Sequence, residues 1–223
     1  MTTKTLNISE EQLVDYSKAH NEPSWMTELR KKALKLTETL EMPKPDKTKL
    51  RKWDFDTFKQ HHTTGDAYTQ LTDLPKSVKE IIDVENSENL IIQHNNELAY
   101  TQVSDQAKHD GVIIEGLSEA LVNHSDLVQK YFMTKAVDVD EHRLTALHTA
   151  LVNGGIFVYV PKNTVVEHPI QYVVLHDDEQ ASFYNHVIIV TEESAEVTYV
   201  ENYLSTTSGE DNQLNIVSEV IAG

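Results

Sequence analysis

The hydrophobic positions of this 223-residue chain change their period part-way along it. Trp25, Met26, Leu29, Ala33, Leu36 and Leu40 recur at steps of one, three, four, three and four, which marks one face of a helix. Upstream, Ser9-Glu10-Glu11-Gln12 has the form of a capping box, so a short helix is expected from Glu10 to His20, interrupted at Glu22-Pro23. Pro43 and Pro45 stop the longer helix, because proline lacks the amide proton and clashes with the preceding turn. The connector from Lys44 to Thr64 carries Trp53, Phe55 and Phe58, whose simplest use is to anchor it onto its own domain.

Residues 76–85 read as a short helix. Leu90-Ile91-Ile92, the turn His94-Asn95-Asn96 and the run Glu97 to Val103 read as a hairpin, to which Val112-Ile113-Ile114 could add a third strand. Leu117, Ala120, Leu121, Leu127, Val128, Tyr131 and Phe132 mark a helix or a broken pair of helices. Asp138 with Glu141 offers a further capping arrangement before Leu144, Leu147, Ala150 and Leu151. Asn153-Gly154-Gly155 is expected to close that helix, glycine supplying the left-handed conformation.

After Gly155 the period becomes strand-like. Ile156 to Val160, Ile170 to Leu175, Val187 to Val190, Ala195 to Glu201 and Leu214 to Ile221 are short β-rich runs separated by turn-forming clusters. Five strands without helical crossovers fit a sandwich, a barrel or a stacked β-helix, and periodicity does not choose among them. The final run stops in apolar sequence with no polar cap, so the natural chain is expected to continue.

Charge changes this picture in one respect. The chain has 19 Lys and Arg against 36 Asp and Glu, a formal charge of −17. A field of that sign disfavours nucleic acid, whose phosphates need clustered basic side chains. Residues 1–60 carry 12 basic and 10 acidic side chains, whereas residues 163–223 have no Lys or Arg and eleven acidic residues. That acidic stretch reads first as a solvated surface, and second as a field that draws cations. Cysteine is absent, which excludes disulfides, thiolate nucleophiles and Cys-held zinc or iron-sulfur clusters within these residues. No apolar run reaches the roughly 20 residues of a membrane helix, and no signal-peptide core follows Met1, so a cytoplasmic protein is expected.

Candidate chemistry is sparse. His61 and His62 are adjacent and diverge; His142 and His148 are six apart, outside the spacing that shares a helix face. His168, His176 and His186 fall in separate β segments, so each histidine reads first as a surface or loop residue. No HExxH or G-x-S-x-G motif is present, and glycines at 65, 111, 116, 154, 155, 209 and 223 form no phosphate cradle. Asp177-Asp178-Glu179 and Glu192-Glu193 could serve acid–base or calcium chemistry in a stacked β fold, but solvated turns are the simpler reading.

One stretch is more specific. Leu147 to Ile170, LHTALVNGGIFVYVPKNTVVEHPI, resembles the signature of the SufB/SufD family, scaffold proteins of the SUF iron-sulfur cluster assembly system. Glu22-Pro23-Ser24-Trp25-Met26 with Leu29-Arg30, and Gly111 to Ile114 leading to Leu127 to Met133, fit the same family, so the likeness spans nearly the whole chain. The short connector through Pro43 and Pro45, and the missing N-terminal cysteine motif, look more like the SufD branch.

The resemblance implies an α+β chain: an N-terminal mainly helical domain, residues 1–152, with a small strand element. The first turns of a right-handed parallel β-helix follow from 153–223, truncated here. It implies a non-enzymatic scaffold subunit acting in the cytoplasm with a SufB-like paralogue and a SufC-like ATPase, whose contacts lie mostly downstream of residue 223. The cluster itself is handled by the complex, so no catalytic, metal or cofactor residue is carried over and no cofactor is expected in this portion. Trp25, Gly154, Gly155, Phe157, Tyr159, Pro161 and Pro169 form the structural signature, expected to hold the junction between helices and strands. The alternative is a β-helical carbohydrate-active protein, or a metal-binding one using His168, His176 and His186.

Overall fold

A computed structural model describes residues 6–50, 53–59, 62–206 and 213–223. Helix α1 (Glu10–Ala19) starts at Ser9, whose hydroxyl accepts from the Gln12 amide while the Gln12 side chain accepts from the Ser9 amide. In α2 (Ser24–Thr39) the buried line is Met26, Arg30, Ala33 and Thr37, with Trp25 and Leu29 at its margin. An arginine thus stands in the middle of the apolar face. The connector divides: Phe58 is buried against Tyr184, while Trp53 stays 62% exposed beside Phe55. His61 lies outside the described residues.

The expected helix at 76–85 shortens to α3 (Lys76–Lys79), followed by a 3₁₀ turn at Val84–Asn86. Strands β1 (Asn89–His94) and β2 (Glu97–Gln102) form the hairpin, with Asn95 in the left-handed region at φ 54° that asparagine tolerates. After α4 (Asp105–His109), β3 (Ile113–Gly116) does not extend this hairpin; it pairs antiparallel with β4 (Gly154–Val160) in the other sheet. The apolar run at 117–132 is a broken pair, α5 (Leu117–Asn123) and α6 (Ser125–Tyr131).

Helix α7 (Arg143–Leu151) is capped by His142 with Thr145 rather than by Asp138 with Glu141. The Glu141 carboxylate does accept from the Asp138 amide, but that turn closes before the helix begins. The helix also ends without a left-handed glycine. Val152, in extended conformation, is the exit residue, and Gly154 and Gly155 are already strand.

The remaining strands are β5 (Ile170–His176), β6 (Phe183–Thr191), β7 (Tyr199–Ser205) and β8 (Leu214–Ala222). β7 starts later than Ala195, because Glu196 is held in an isolated bridge to Val165, with backbone bonds to Thr164 and Val166. Sheet one has the order β2-β1-β5-β7 and sheet two β3-β4-β6-β8. β1–β5, β5–β7, β4–β6 and β6–β8 all pair in parallel, and from β4 onward the chain alternates between the sheets at every strand. Both sheets draw strands from either side of residue 152.

Alternation of side chains builds three apolar layers. Ile91, Tyr172 and Val174 of sheet one meet Ile156, Val158, Val187 and Ile189 of sheet two between the sheets. The opposite face of sheet two, Phe157, Ile188 and Val190, is covered by Leu121, Val128 and Phe132. The opposite face of sheet one, Leu90, Ile92, Val173 and Leu175, is covered by Leu74, Val78 and Ile82. Helices α1, α2 and α7 pack together around Leu13, Ala33, Leu147 and Leu151, next to Tyr184. No helix among the described residues is long and apolar enough to cross a membrane.

Candidate functional site: a buried polar junction

Where α7 runs into β4, hydrogen-bonding side chains replace apolar ones. Arg30 lies 2% exposed and sends Nε and Nη2 to the two oxygens of Glu22, at 2.8 and 2.6 Å. Its remaining donors reach the carbonyls of Ala150 (3.0 Å) and Val152 (2.8 Å), at the end of α7. A cation on the last carbonyls of a helix satisfies orphan acceptors and complements the helix dipole. Burial opposes the charge on Glu22, but the Arg30 guanidinium and the Ser17 hydroxyl together hold its carboxyl below the ordinary value. The pair therefore clamps α2 to the residue before Asn153.

Asn153 then aligns the start of β4 with the start of β6. Its Oδ1 accepts from the Tyr184 amide (2.9 Å), its Nδ2 donates to Ser182 O (2.9 Å), and its own amide donates to Tyr184 O. Asn96 of the hairpin donates to the Asn153 carbonyl. Next in line, the Gln93 carboxamide accepts from Gly155 N (2.9 Å) and the Tyr172 hydroxyl (2.7 Å) and donates to Asn95 O and Asn185 Oδ1. The two glycines are needed because their backbone comes this close. A Cβ on Gly154 would sit 2.6 Å from Asn185 Oδ1, and one on Gly155, at φ +140°, only 2.0 Å from His186 O. A cleft of about 170 Å³ opens beside them, lined by Gln93, Leu98, Glu119, Gly154 and Tyr172 among others. Burial and the neighbouring Glu115 push the Glu119 carboxyl up.

A third group lies behind β6. His148 Nε2 is 3.0 Å from His186 Nδ1, and His186 Nε2 is 2.9 Å from Glu219 Oε1. The carboxylate also accepts from the amides of Met133 (2.7 Å) and Val137 (3.1 Å). At the other end, His148 Nδ1 is 2.7 Å from Asn215 Oδ1. His148, His186 and Glu219 have no exposed surface, and the His186 ring stacks on Phe132 at 4.3 Å.

These positions correct the reading of the histidines as surface groups. His94, His148, His176 and His186 are all buried. His168, His176 and His186 find separate partners: Glu88, the Asp178 carbonyl, and the pair His148 and Glu219. Among the described residues no three His, Asp or Glu side chains are gathered as a metal ion would need. The motif Asp177-Asp178-Glu179 splits: Asp177 bonds His94 and Asn95, Asp178 accepts from Thr63, and the Lys59 ammonium donates to the Glu179 carbonyl. Glu192 accepts from the hydroxyls of Tyr131 and Tyr159, and Glu193 pairs with Lys162.

Of the signature residues, Gly154, Gly155 and Phe157 are fully buried in β4, while Tyr159 is partly so. Trp25 donates its indole N–H to Ser125 Oγ (2.9 Å) and sets its ring edge-on to Phe132. Pro161 and Pro169 flank the turn between β4 and β5, half-buried. Sequence reasoning missed Arg30, Gln93, His148 and Glu219 as parts of this junction. For Arg30 a signal existed: a basic residue one step after Leu29, inside an apolar repeat.

Residues 9–172 match the family described as SufBD protein N-terminal region. The chain is 48% identical to the iron-sulfur cluster assembly protein SufD of Bacillus subtilis, over 98% of this chain and 50% of that protein. It is 26% identical to an iron-sulfur cluster assembly SufBD family protein of Staphylococcus epidermidis, over 96% of this chain and 48% of the other. Against the corresponding protein of Pyrococcus horikoshii the identity is 29%, over 87% and 45%. The chain thus spans about half the length of the curated relatives it matches. With the buried Asn153-Gly154-Gly155 junction inside the matched segment, the chain belongs to the SufB/SufD family and corresponds to the N-terminal portion of a SufD-like protein.

Proposed function

We propose that this chain is the leading part of a scaffold subunit for iron-sulfur cluster assembly, working with a SufB-type chain and a SufC-type ATPase in the cytoplasm. The SufD relative's role supports the process. One observation carries the scaffold reading: β4 to β8 alternate between two parallel ladders, and both ladders end on open strands. β7 and β8 leave Val200, Leu214, Ile216 and Val220 between 39% and 64% exposed. Further parallel strands on these edges would cover the apolar positions, making β4 to β8 the first turns of a β-helix.

In this reading the polar junction does no chemistry on a substrate; it fixes the angle at which the ladders leave the helices. The cluster is cargo of the complex, and the present residues supply shape and interface. Affinity purification of the tagged protein from its own cell, followed by intact-mass spectrometry, tests this. A SufB-type chain and an ABC-type ATPase should be recovered with it. Recovery without either would overturn the assembly reading.

A further inference from the structure

The chain of contacts from Asn215 through His148 and His186 to Glu219 is a closed problem in proton counting. Each link joins two heteroatoms at 2.7 to 3.0 Å, so each must hold one proton. With Asn215 presenting Oδ1, His148 must carry its proton on Nδ1 and accept at Nε2 from His186 Nδ1–H. The last link then needs a further proton, carried by a His186 imidazolium that donates from Nε2 to Glu219. The three titratable side chains hold three protons and sum to zero charge. With Asn215 turned to present its NH₂, the donors of the first two links reverse. His148 and His186 both become Nε2–H tautomers, Glu219 is a carboxylate, and the chain holds two protons.

We propose that this chain is a one-proton switch, in which gain or loss of a single proton reverses two hydrogen bonds together and turns the Asn215 carboxamide half a revolution. Asn215 is half-buried on β8, the open strand of sheet two. The turn leaves the NH₂ group for an outside neighbour in the three-proton form and the carbonyl in the two-proton form. A proton held behind β6 is thereby read out at the sheet edge. At the other end Glu219 holds the Met133 and Val137 amides in both forms.

The surroundings set the working range. Burial pulls the His148 imidazole well below its ordinary value, assisted by His186 and opposed by the Asn215 contact. Arg30 of α2 acts in the same direction, tempered by its own partner Glu22. Tyr184 on β6, with Asp56 acting on it, lies beside the His148 ring; Phe132 covers His186. Burial likewise lowers His186, and Glu219 opposes it. The two-proton form therefore prevails at neutral pH and the proton enters on acidification.

Long-range ¹H–¹⁵N correlation spectra of the intact protein labelled with ¹⁵N-histidine test this between pH 8.5 and pH 5. At high pH both imidazoles should be Nε2–H tautomers. On acidification the His148 proton should move to Nδ1 and His186 should respond with the same midpoint. Asn215→Asp can only accept, so it should hold His148 in the Nδ1–H form and raise the midpoint by about one unit or more. Unchanged tautomers across the range, or two separate midpoints for His148 and His186, would overturn the switch. A folded Asn215→Asp protein with the wild-type midpoint would do the same.

Discussion

β5 and β7 are neighbours in one sheet, pair in parallel and have seven residues each, yet they occupy opposite physical states. Every residue of β5 is buried, while in β7 none is. β6 and β8 in the other sheet differ in the same way: all of β6 but Thr191 is buried, and Glu219 alone of β8 is. Composition alone does not make the difference, since Val occurs in all four, Tyr in β5, β6 and β7, and Ile in β5, β6 and β8. Neighbours do: β5 has strands on both sides and a layer on each face, whereas β7 has one partner strand among the described residues. The comparison separates a finished interior, where each atom's place is fixed by contact, from an edge of matching chemistry without that constraint.

The sharpest way to break the comparison is to damage the finished side. Gly155→Val places a side chain into the His186 carbonyl on a backbone that disfavours it, and should cost about 5 kcal/mol or more, enough to unfold a chain of ordinary stability. Soluble expression and thermal melting read this out, and a Gly155→Val protein with the wild-type melting temperature would contradict the junction. Arg30→Ala leaves Glu22 buried without its counter-charge and two carbonyls without donors, for an expected loss of about 3–5 kcal/mol by denaturant titration.

The same pair fixes a pH dependence. Because the native carboxyl of Glu22 lies below its ordinary 4.5, its stabilisation is complete above that value and is lost as the pH falls through the native one. Arg30→Ala should flatten that acid limb. On the open side, Val200→Thr or Val220→Thr should change the stability of this chain by no more than about 0.5 kcal/mol. If further strands pair there as proposed, the effect of these substitutions falls on that pairing, and is checked by comparing melting with partner recovery in the same variants.

Local chemistry was legible in the sequence to the extent that it is local. Ser9 and Gln12 cap each other three residues apart, and the Asn95-Asn96 turn needs only a residue tolerant of positive φ. The family signature likewise marked the glycines. Their purpose was hidden: helix closure was expected at Gly154-Gly155, but the demand comes from Asn185, Gln93 and His186, which lie in other strands. His142 as a helix cap escaped because histidine is an unusual cap, and Asp138 with Glu141 offered the more familiar pattern. The pairing of His148 with His186 had no sequence signal, since spacing rules compare residues on one element and these lie on α7 and β6. Arg30 escaped because the apolar face was read by skipping over it.

The pairing order has one more implication, for how the chain comes together in time. β2 joins β1, β4 joins β3, β5 joins β1, β6 joins β4, β7 joins β5 and β8 joins β6. Every strand from β4 onward finds its template already synthesised, and none waits for a sequence still to come. The two antiparallel members, β2 and β3, lie at the early edge of each sheet, and the later strands add at the other edge. A nascent chain emerging from the ribosome can therefore zip in the direction of translation, each new strand converting the edge it meets into interior and becoming the next edge itself.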